Sequence, residues 1–322
     1  MKKRLPFFIL LALCVTAAPK ARLFAQPPHF KAAVIPEHLL PGEPVSVAIA
    51  GAGGANLRLS LVSGRGRRLA KAVFWTLSPR VFVEGNIVQI ALLTVPSTAK
   101  PGNAALRIEN GDAVIKEFAI TIGDRKFASE EIALNEQNTG IRAVPSALKT
   151  QQANRLWTIL SRTGREIYTV SAFTSPVPTD TRRTSFFGDR RVYRYSTGKT
   201  DTAIHAGIDY GVPTGTTVRA CADGKVLLAE YREATGNSVI IEHLPGVYSI
   251  YYHMSKLAVK EDSLVEKGRV LGESGATGLA TGPHLHWEIR VAGENTDPDI
   301  CSARPVFDRD ALLAKLGGSY AH

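Results

Sequence analysis

Cysteine is scarce in this sequence, which has three cysteines among its 322 residues. Cys14 lies in an apolar N-terminal run, whereas Cys221 and Cys301 stand 80 positions apart in the C-terminal half. In an oxidising compartment these two thiols could pair, but a separation along the chain says nothing about geometry. The cysteines alone therefore leave the question of a disulfide open.

Several catalytic motifs are also absent. No H-E-x-x-H occurs, which excludes a helical glutamate base of that type. The stretch GESGATGLATG lacks the G-K-[ST] ending of a phosphate-binding loop. Its Ser274 lies in GESGA rather than G-x-S-x-G, and nothing in the sequence assigns this serine a base. We therefore expect neither nucleotide binding nor serine-based hydrolysis.

The N-terminal apolar run is too short for a comfortable membrane span. MKKR, LPFFILLALCVTAA and PKARLFA follow one another as the regions of a secretory signal peptide do. We expect residues 1–25 to be removed by cleavage after Ala25, with Ala17 as the alternative site. Leu13 precedes Cys14 where a lipobox has a small residue, so lipid attachment is a minor alternative, as is an uncleaved anchor. The sequence predicts an exported protein of the periplasm or cell envelope.

Positive charge is in modest excess. Residues 1–25 contain five basic and no acidic residues, so their removal lowers the formal net charge from +10 to +5. A mildly basic exported protein is compatible with an anionic polymer such as the bacterial cell wall, and it does not require nucleic acid.

Residues 27–125 alternate apolar and polar side chains in short segments separated by turn sequences such as PGEP and ENGD. We expect one face to carry Leu57, Leu59 and Leu61, and another to carry Phe118, Ile120 and Ile122. This pattern predicts an immunoglobulin-like β-sandwich that lacks the cysteine pair of that fold. It contains no cluster of titratable residues, so we interpret it as a spacer or docking domain.

Residues 126–164 have a different composition and predict a helical connector. Ser146 is the expected N-cap and Gly164 the expected stop. The apolar stripe has the helical spacing i, i+3, i+4, i+7 and should face the core; it consists of Ala153, Leu156, Trp157 and Leu160.

Residues 165–322 return to strands separated by frequent glycines, as in a curved antiparallel β-sheet or barrel, with one short helix at DRDALLAKLG. Five of the eight histidines fall between positions 205 and 286: His205, His243, His253, His284 and His286. In a strand, His284 and His286 share a face at about 7 Å. His205 and Asp209 would be about 13 Å apart in a straight strand, too far for one metal, so the chain must bend at Gly207.

Histidine and aspartate suit zinc, and a catalytic zinc has three protein ligands and an open position. His205, Asp209 and either His284 or His286 would complete such a set. The remaining histidine, together with His253, would then be free for acid–base chemistry. Five arginines in TRRTSFFGDRRVYR could contact an anionic polymer, although we expect a solvated basic loop: Arg182, Arg183, Arg190, Arg191 and Arg194.

The segments HAGIDYGVPTG, YSIYYHMS and KGRVLGESGATGLATGPHLHWEIR resemble the lysostaphin-type (LytM-domain) zinc metallopeptidases, which are murein endopeptidases. The resemblance covers about Phe173 to Asp299, and the N-terminal region resembles the immunoglobulin-like module often placed before that domain. It implies a two-layered antiparallel barrel-sandwich hybrid. EHLPG and Met254 depart from the usual pattern without affecting a ligand.

Carried over residue by residue, the resemblance makes His205, Asp209 and His286 the ligands of one zinc per chain. It makes His253 and His284 non-ligand catalytic histidines, whereas His243 is structural. The implied function is hydrolysis of peptidoglycan cross-links by a water whose pKa zinc lowers from 15.7 toward about 7. Whether the bond is of the D,D type or a glycine bridge stays open.

The rival interpretation is a non-catalytic or autoinhibited LytM-like regulator of another wall hydrolase. Such proteins typically lack one or more ligands, whereas all five positions are filled here, which favours the enzyme. Besides peptidoglycan, an envelope protein that regulates the enzyme is a candidate partner. A monomer is the default.

Overall fold

The computed structural model describes residues 30–51, 56–78 and 81–317. The expected signal peptide, with Cys14, lies outside these residues. The alternating N-terminal segments form ten strands, β1 (Lys31–Ile35), β2 (His38–Leu39), β3 (Pro44–Ala50), β4 (Leu57–Ser63), β5 (Arg68–Val73), β6 (Trp75–Thr76), β7 (Phe82–Val83), β8 (Asn86–Thr94), β9 (Gly102–Asn110) and β10 (Ala113–Ile122).

These strands form two five-stranded sheets around a common apolar core. The first has the order β1-β3-β8-β6, with β7 also on β8, and the second has the order β2-β10-β9-β4-β5. Leu57, Leu59 and Leu61 all point into this core, as expected. Ile120 and Ile122 do the same on β10, where Phe118 packs beside them. The relation to immunoglobulin domains stays a prediction.

The connector contains a strand and two helices, β11 (Ser129–Ala133), α1 (Glu136–Ala143) and α2 (Ala147–Leu160). Strand β11 was not foreseen in a segment expected to be helical. Ser146 caps α2 as predicted, with its side chain accepting from the Lys149 N–H. The helix ends at Leu160, before Gly164, whose N–H donates to Glu242.

The predicted apolar stripe of α2 is wrong at two positions. Trp157 is 64% exposed, and Ala153 is exposed as well. The helix instead packs through Leu156, Ile159 and Leu160. Trp157 follows Leu156 directly and therefore lies about 100° around the helix from it. Two overlapping stripes were available in this sequence, and the one containing Ile159 faces the core.

The C-terminal part consists of thirteen strands and two short helices. They are β12 (Arg183–Ser185), β13 (Arg190–Arg194), β14 (Thr200–Ile204), β15 (Ile208–Tyr210), β16 (Thr217–Arg219), β17 (Gly224–Arg232), β18 (Gly236–Leu244), β19 (Val247–Met254), β20 (Lys256–Leu257), β21 (Leu264–Val265), β22 (Val270–Glu273), β23 (Leu285–Val291), β24 (Glu294–Thr296), α3 (Pro298–Ala303) and α4 (Arg309–Lys315).

An antiparallel eight-stranded sheet dominates this part, with the order β12-β15-β23-β19-β18-β17-β21 and β24 on β23. Strands β16, β22 and β20 form a small second sheet. The connector strand β11 completes a third sheet by pairing in parallel with β13, which pairs with β14. The prediction of a mainly β fold is confirmed, and helix α4 lies where DRDALLAKLG predicted it.

The first N-terminal sheet is buried on both faces. Along β8, Ala91 and Leu93 face the second sheet, whereas Ile90 and Leu92 join the core of the C-terminal part. The Thr94 and Thr296 hydroxyls are 2.6 Å apart in the buried interface. One apolar core therefore runs through both parts, and the N-terminal sandwich packs against the C-terminal strands.

Cys221 and Cys301 are both buried and both carry free thiols. Burial raises the pKa of Cys221 to about 11, so this thiol stays protonated and unreactive at neutral pH. Among the described residues, no helix combines the length and apolar character needed to cross a membrane.

His243 is a core residue, in agreement with its predicted structural role. Its Nδ1 donates to the carbonyl of Asp223 at 2.7 Å, which leaves Nε2 to accept from the Ser249 hydroxyl at 2.7 Å. Burial lowers the pKa of His243 to about 4. The ring is therefore neutral in the folded chain at physiological pH.

This pKa predicts a loss of stability in acid. The neutral ring stabilises the fold fully above the ordinary pKa of 6.5, and this contribution of about 3 kcal/mol disappears as the pH falls from 6.5 to about 4. In urea titrations between these pH values, His243→Gln should lose less stability than the wild type. His38→Gln, which alters an exposed imidazole, is the control and should follow the wild type. Equal losses in all three proteins would contradict the prediction.

Candidate metal centre

The bend predicted at Gly207 is present. His205 follows β14, Asp209 lies in β15, and His205 Nε2 is 3.1 Å from Asp209 Oδ1. A Cβ atom at Gly207 would lie 2.0 Å from the backbone oxygen of Trp287, so glycine is required here for space. This close approach lets β15 pair with β23, which places Asp209 directly opposite His286.

Three buried side chains meet at this pairing. His286 Nδ1 lies 2.6 Å from Asp209 Oδ1 and 3.0 Å from His205 Nε2. Of the two histidines that the spacing left open, His286 thus joins the group, which satisfies the geometric condition for holding a metal ion.

The other ring nitrogen of each histidine already has a hydrogen-bond partner. His205 Nδ1 donates to the Phe186 carbonyl, and His286 Nε2 lies 3.0 Å from the Glu288 carboxylate. In the neutral rings, His205 Nε2 and His286 Nδ1 therefore both present lone pairs toward Asp209 Oδ1. Three acceptors that converge in a buried space require a cation or a proton between them.

The spacing fits zinc. Bonds of about 2.0–2.2 Å place neighbouring ligand atoms of a tetrahedral zinc about 3.3–3.6 Å apart. The observed separations of 2.6–3.1 Å are shorter. A modest outward shift of the three side chains would admit the ion.

Electrostatics favours a cation at the same point. Burial alone would raise the pKa of Asp209, but the charge of His286 and the hydrogen bond that it donates hold this pKa well below its ordinary range. Burial alone would lower the pKa of His286, whereas Asp209 and Glu288 raise it to about 9. Without a metal, the extra proton of His286 supplies the positive charge.

His253 and His284 flank this group. Their ring centroids are 4.6 Å apart, and His284 Nε2 lies 3.9 Å from Asp209 Oδ1. Each Nδ1 is 2.8 Å from a backbone carbonyl, that of Thr277 or Gly282, which leaves Nε2 as the acceptor nitrogen. Burial lowers the pKa of both rings, that of His253 to about 3. His253 also has a φ of 63°, a left-handed conformation that is uncommon for non-glycine residues.

Sequence reasoning missed two charged neighbours of the centre. Glu288 follows His286 by two positions on one strand, so the alternation in HWE could have identified it. Arg191 donates from Nη2 to Asp209 Oδ2 at 2.6 Å, and its side chain is only 12% exposed. The expectation of a solvated basic loop is therefore wrong for Arg191. Its neighbours are also engaged, because Arg183 pairs with Asp299 and Arg194 with Glu131.

Ser274 offers no alternative nucleophile. It is fully buried, and its hydroxyl donates to the Pro213 carbonyl at 2.7 Å. This contact explains the serine as a structural residue.

Residues 203–298 match the model of Peptidase family M23. DD-carboxypeptidase/endopeptidase Mpg of Neisseria meningitidis is 42% identical over 129 residues, which are 36% of this chain and 30% of that protein. Peptidoglycan DD-endopeptidase ShyA of Vibrio cholerae is 38% identical over 118 residues, covering 37% of this chain and 27% of ShyA. The chain thus spans less than a third of the length of either relative.

A crystal structure of a peptidase M23 protein from Pseudomonas aeruginosa extends the similarity. It is 25% identical, with a TM-score of 0.54, and the match covers 84% of this chain and 96% of that one. Residues 203–298 are thus similar in sequence to peptidases of family M23, the lysostaphin-type family that the motifs resemble. The fold of the chain is similar to that of the Pseudomonas aeruginosa peptidase M23 protein.

The close approach at Gly207 gives a testable prediction. Gly207→Ala should lower the free energy of unfolding by about 3 kcal/mol or more, because its Cβ would collide with the backbone of β23. Gly140→Ala, inside helix α1 where a Cβ atom would meet nothing within 4 Å, should be neutral or stabilising. Urea denaturation followed by circular dichroism measures both. A Gly207→Ala chain as stable as the wild type would show that β23 can move aside.

Proposed function

We propose that this chain is an exported, zinc-dependent endopeptidase that hydrolyses peptide cross-links of bacterial peptidoglycan. The observation that carries the proposal is the convergence of three buried ligand atoms, flanked by two further histidines, inside an M23 domain. The basic charge expected after removal of residues 1–25 is compatible with an anionic wall.

His205, Asp209 and His286 would hold the zinc. When bound, zinc supplies Lewis acidity, which lowers the pKa of a water and polarises a carbonyl. The hydrogen bonds that the two rings donate to the Phe186 carbonyl and to the Glu288 carboxylate fix their orientation. Such outer partners typically contribute about 10- to 100-fold to metal affinity or activity.

His253 and His284 would move the proton. In the neutral state each presents Nε2 as an acceptor, so one ring can take a proton from water as the oxygen bonds to the scissile carbonyl carbon. The same proton then passes to the amide nitrogen as the carbon–nitrogen bond breaks. The ring returns to its neutral form, and the second proton of the water passes from the new carboxyl group to the amine, so the products are a carboxylate and an ammonium.

The D,D bond is the cross-link we propose. Two relatives at 38–42% identity are named DD-carboxypeptidase/endopeptidase and DD-endopeptidase. The glycine bridge is the second candidate. A non-catalytic regulator is not favoured, because all five residues of the presumed site are present and meet in the fold.

Zinc content and digestion of purified peptidoglycan test the proposal. The wild type should carry about one zinc and release muropeptides in a chelator-sensitive manner, and their masses identify the bond. His205→Ala and His286→Ala should lose both zinc and activity. His253→Ala and His284→Ala should keep zinc and lose on the order of a hundredfold in rate or more.

His38→Ala, in the N-terminal sandwich, is the matched control and should change neither zinc content nor rate. Full zinc and activity in His205→Ala would refute the ligand assignment. A wild type that carries zinc but digests no peptidoglycan would favour the regulator or an autoinhibited enzyme.

A further inference from the structure

We propose that Glu130 and Arg191 are positioning residues that set the metal-facing geometry of Asp209. The inference rests on the proposed zinc site. It extends that site to β13 and, through Glu130, to the connector; both residues lie outside the matched segment 203–298. Arg191 would act on Asp209 directly, and Glu130 would act through Arg191.

Arg191 holds one oxygen of the carboxylate. Its Nη2 donates to Asp209 Oδ2 at 2.6 Å, whereas Asp209 Oδ1 faces the two histidines. With Oδ2 engaged, the carboxylate cannot rotate freely and offers a single oxygen to the metal. The planar guanidinium imposes this orientation better than a flexible ammonium group would.

Glu130 in turn holds Arg191. Its Oε1 accepts from Arg191 Nε at 2.5 Å, and the Ser185 hydroxyl lies 3.1 Å from both of its carboxylate oxygens. The parallel pairing of β11 with β13 places Glu130 opposite Arg191. Glu130 also neutralises a cation that would otherwise repel a divalent metal from close range.

The same two strands supply a matched control. Glu131 is the next residue on β11 and pairs with Arg194, but both side chains are about half exposed. Glu131→Gln removes the same charge from the same strand without touching the centre. A difference between the two glutamine variants therefore reports the contact with Arg191 rather than net charge.

The experiment measures the zinc dissociation constant of the full chain by competition with a chelator. Glu130→Gln should weaken zinc binding by about tenfold, whereas Glu131→Gln should stay within twofold of the wild type. Arg191→Lys should also weaken zinc binding, although it keeps the positive charge, because lysine cannot contact both carboxylates in the same geometry. Urea midpoints in excess chelator should match for the two glutamine variants, which separates positioning from a loss of folding.

A double-mutant cycle covers the case in which Glu130→Gln also lowers the midpoint. In an Arg191→Met background, Glu130→Gln should cause no further loss of zinc affinity, since its effect passes through Arg191. A further tenfold loss of zinc affinity in the Arg191→Met background would overturn this inference but not the proposed function. Equal zinc affinities in Glu130→Gln and Glu131→Gln would do the same. A wild type without zinc affinity would overturn the proposed function as well.

Discussion

The antiparallel pairing of β15 with β23 is the contact on which the candidate site depends. It places Asp209 opposite His286 and is possible only because Gly207 admits the backbone of Trp287. His205, on the other side of the bend, then reaches the same point in space. The steric requirement of one glycine thus decides whether three side chains, two of them 81 residues apart, become one ligand set.

Charges alternate in sign on both sides of this contact. The series of ion pairs runs from Arg290 through Glu288, protonated His286, Asp209 and Arg191 to Glu130, with the buried members in the middle. Each interior member has an opposite charge on either side, which offsets the cost of removing ions from water.

The sequence predicted the residues of the candidate site better than the neighbouring residues that contact and orient them. His205, Asp209 and the histidine pair stand in short motifs whose spacing limits their geometry. Glu288 was within reach of the same reasoning, because strand alternation places it beside His286. Arg191 was not, since Asp209 on β15 and Glu130 on β11 meet it only in the tertiary structure. Three of the five arginines that looked solvated, Arg183, Arg191 and Arg194, are paired with carboxylates.

The fold was predicted at the level of strands and faces, whereas helix orientation was not. Leucines at alternate positions of β4 point to the same side of the strand, so the prediction that they share one core face was secure. In α2, the sequence was compatible with an apolar stripe containing Ala153 and Trp157 and with another containing Ile159. Only packing against the neighbouring strands selected the stripe with Ile159.

The double-sided burial of the first N-terminal sheet has a consequence for proteolysis. Residues 124 and 126, between the two parts, are exposed and offer a cleavage site. A cut there would break the chain covalently, yet the fragments would share the core around Ile90 and Leu92 and the Thr94–Thr296 contact. Nicked protein would migrate as two bands in denaturing gels and as one particle in native solution, with the centre intact.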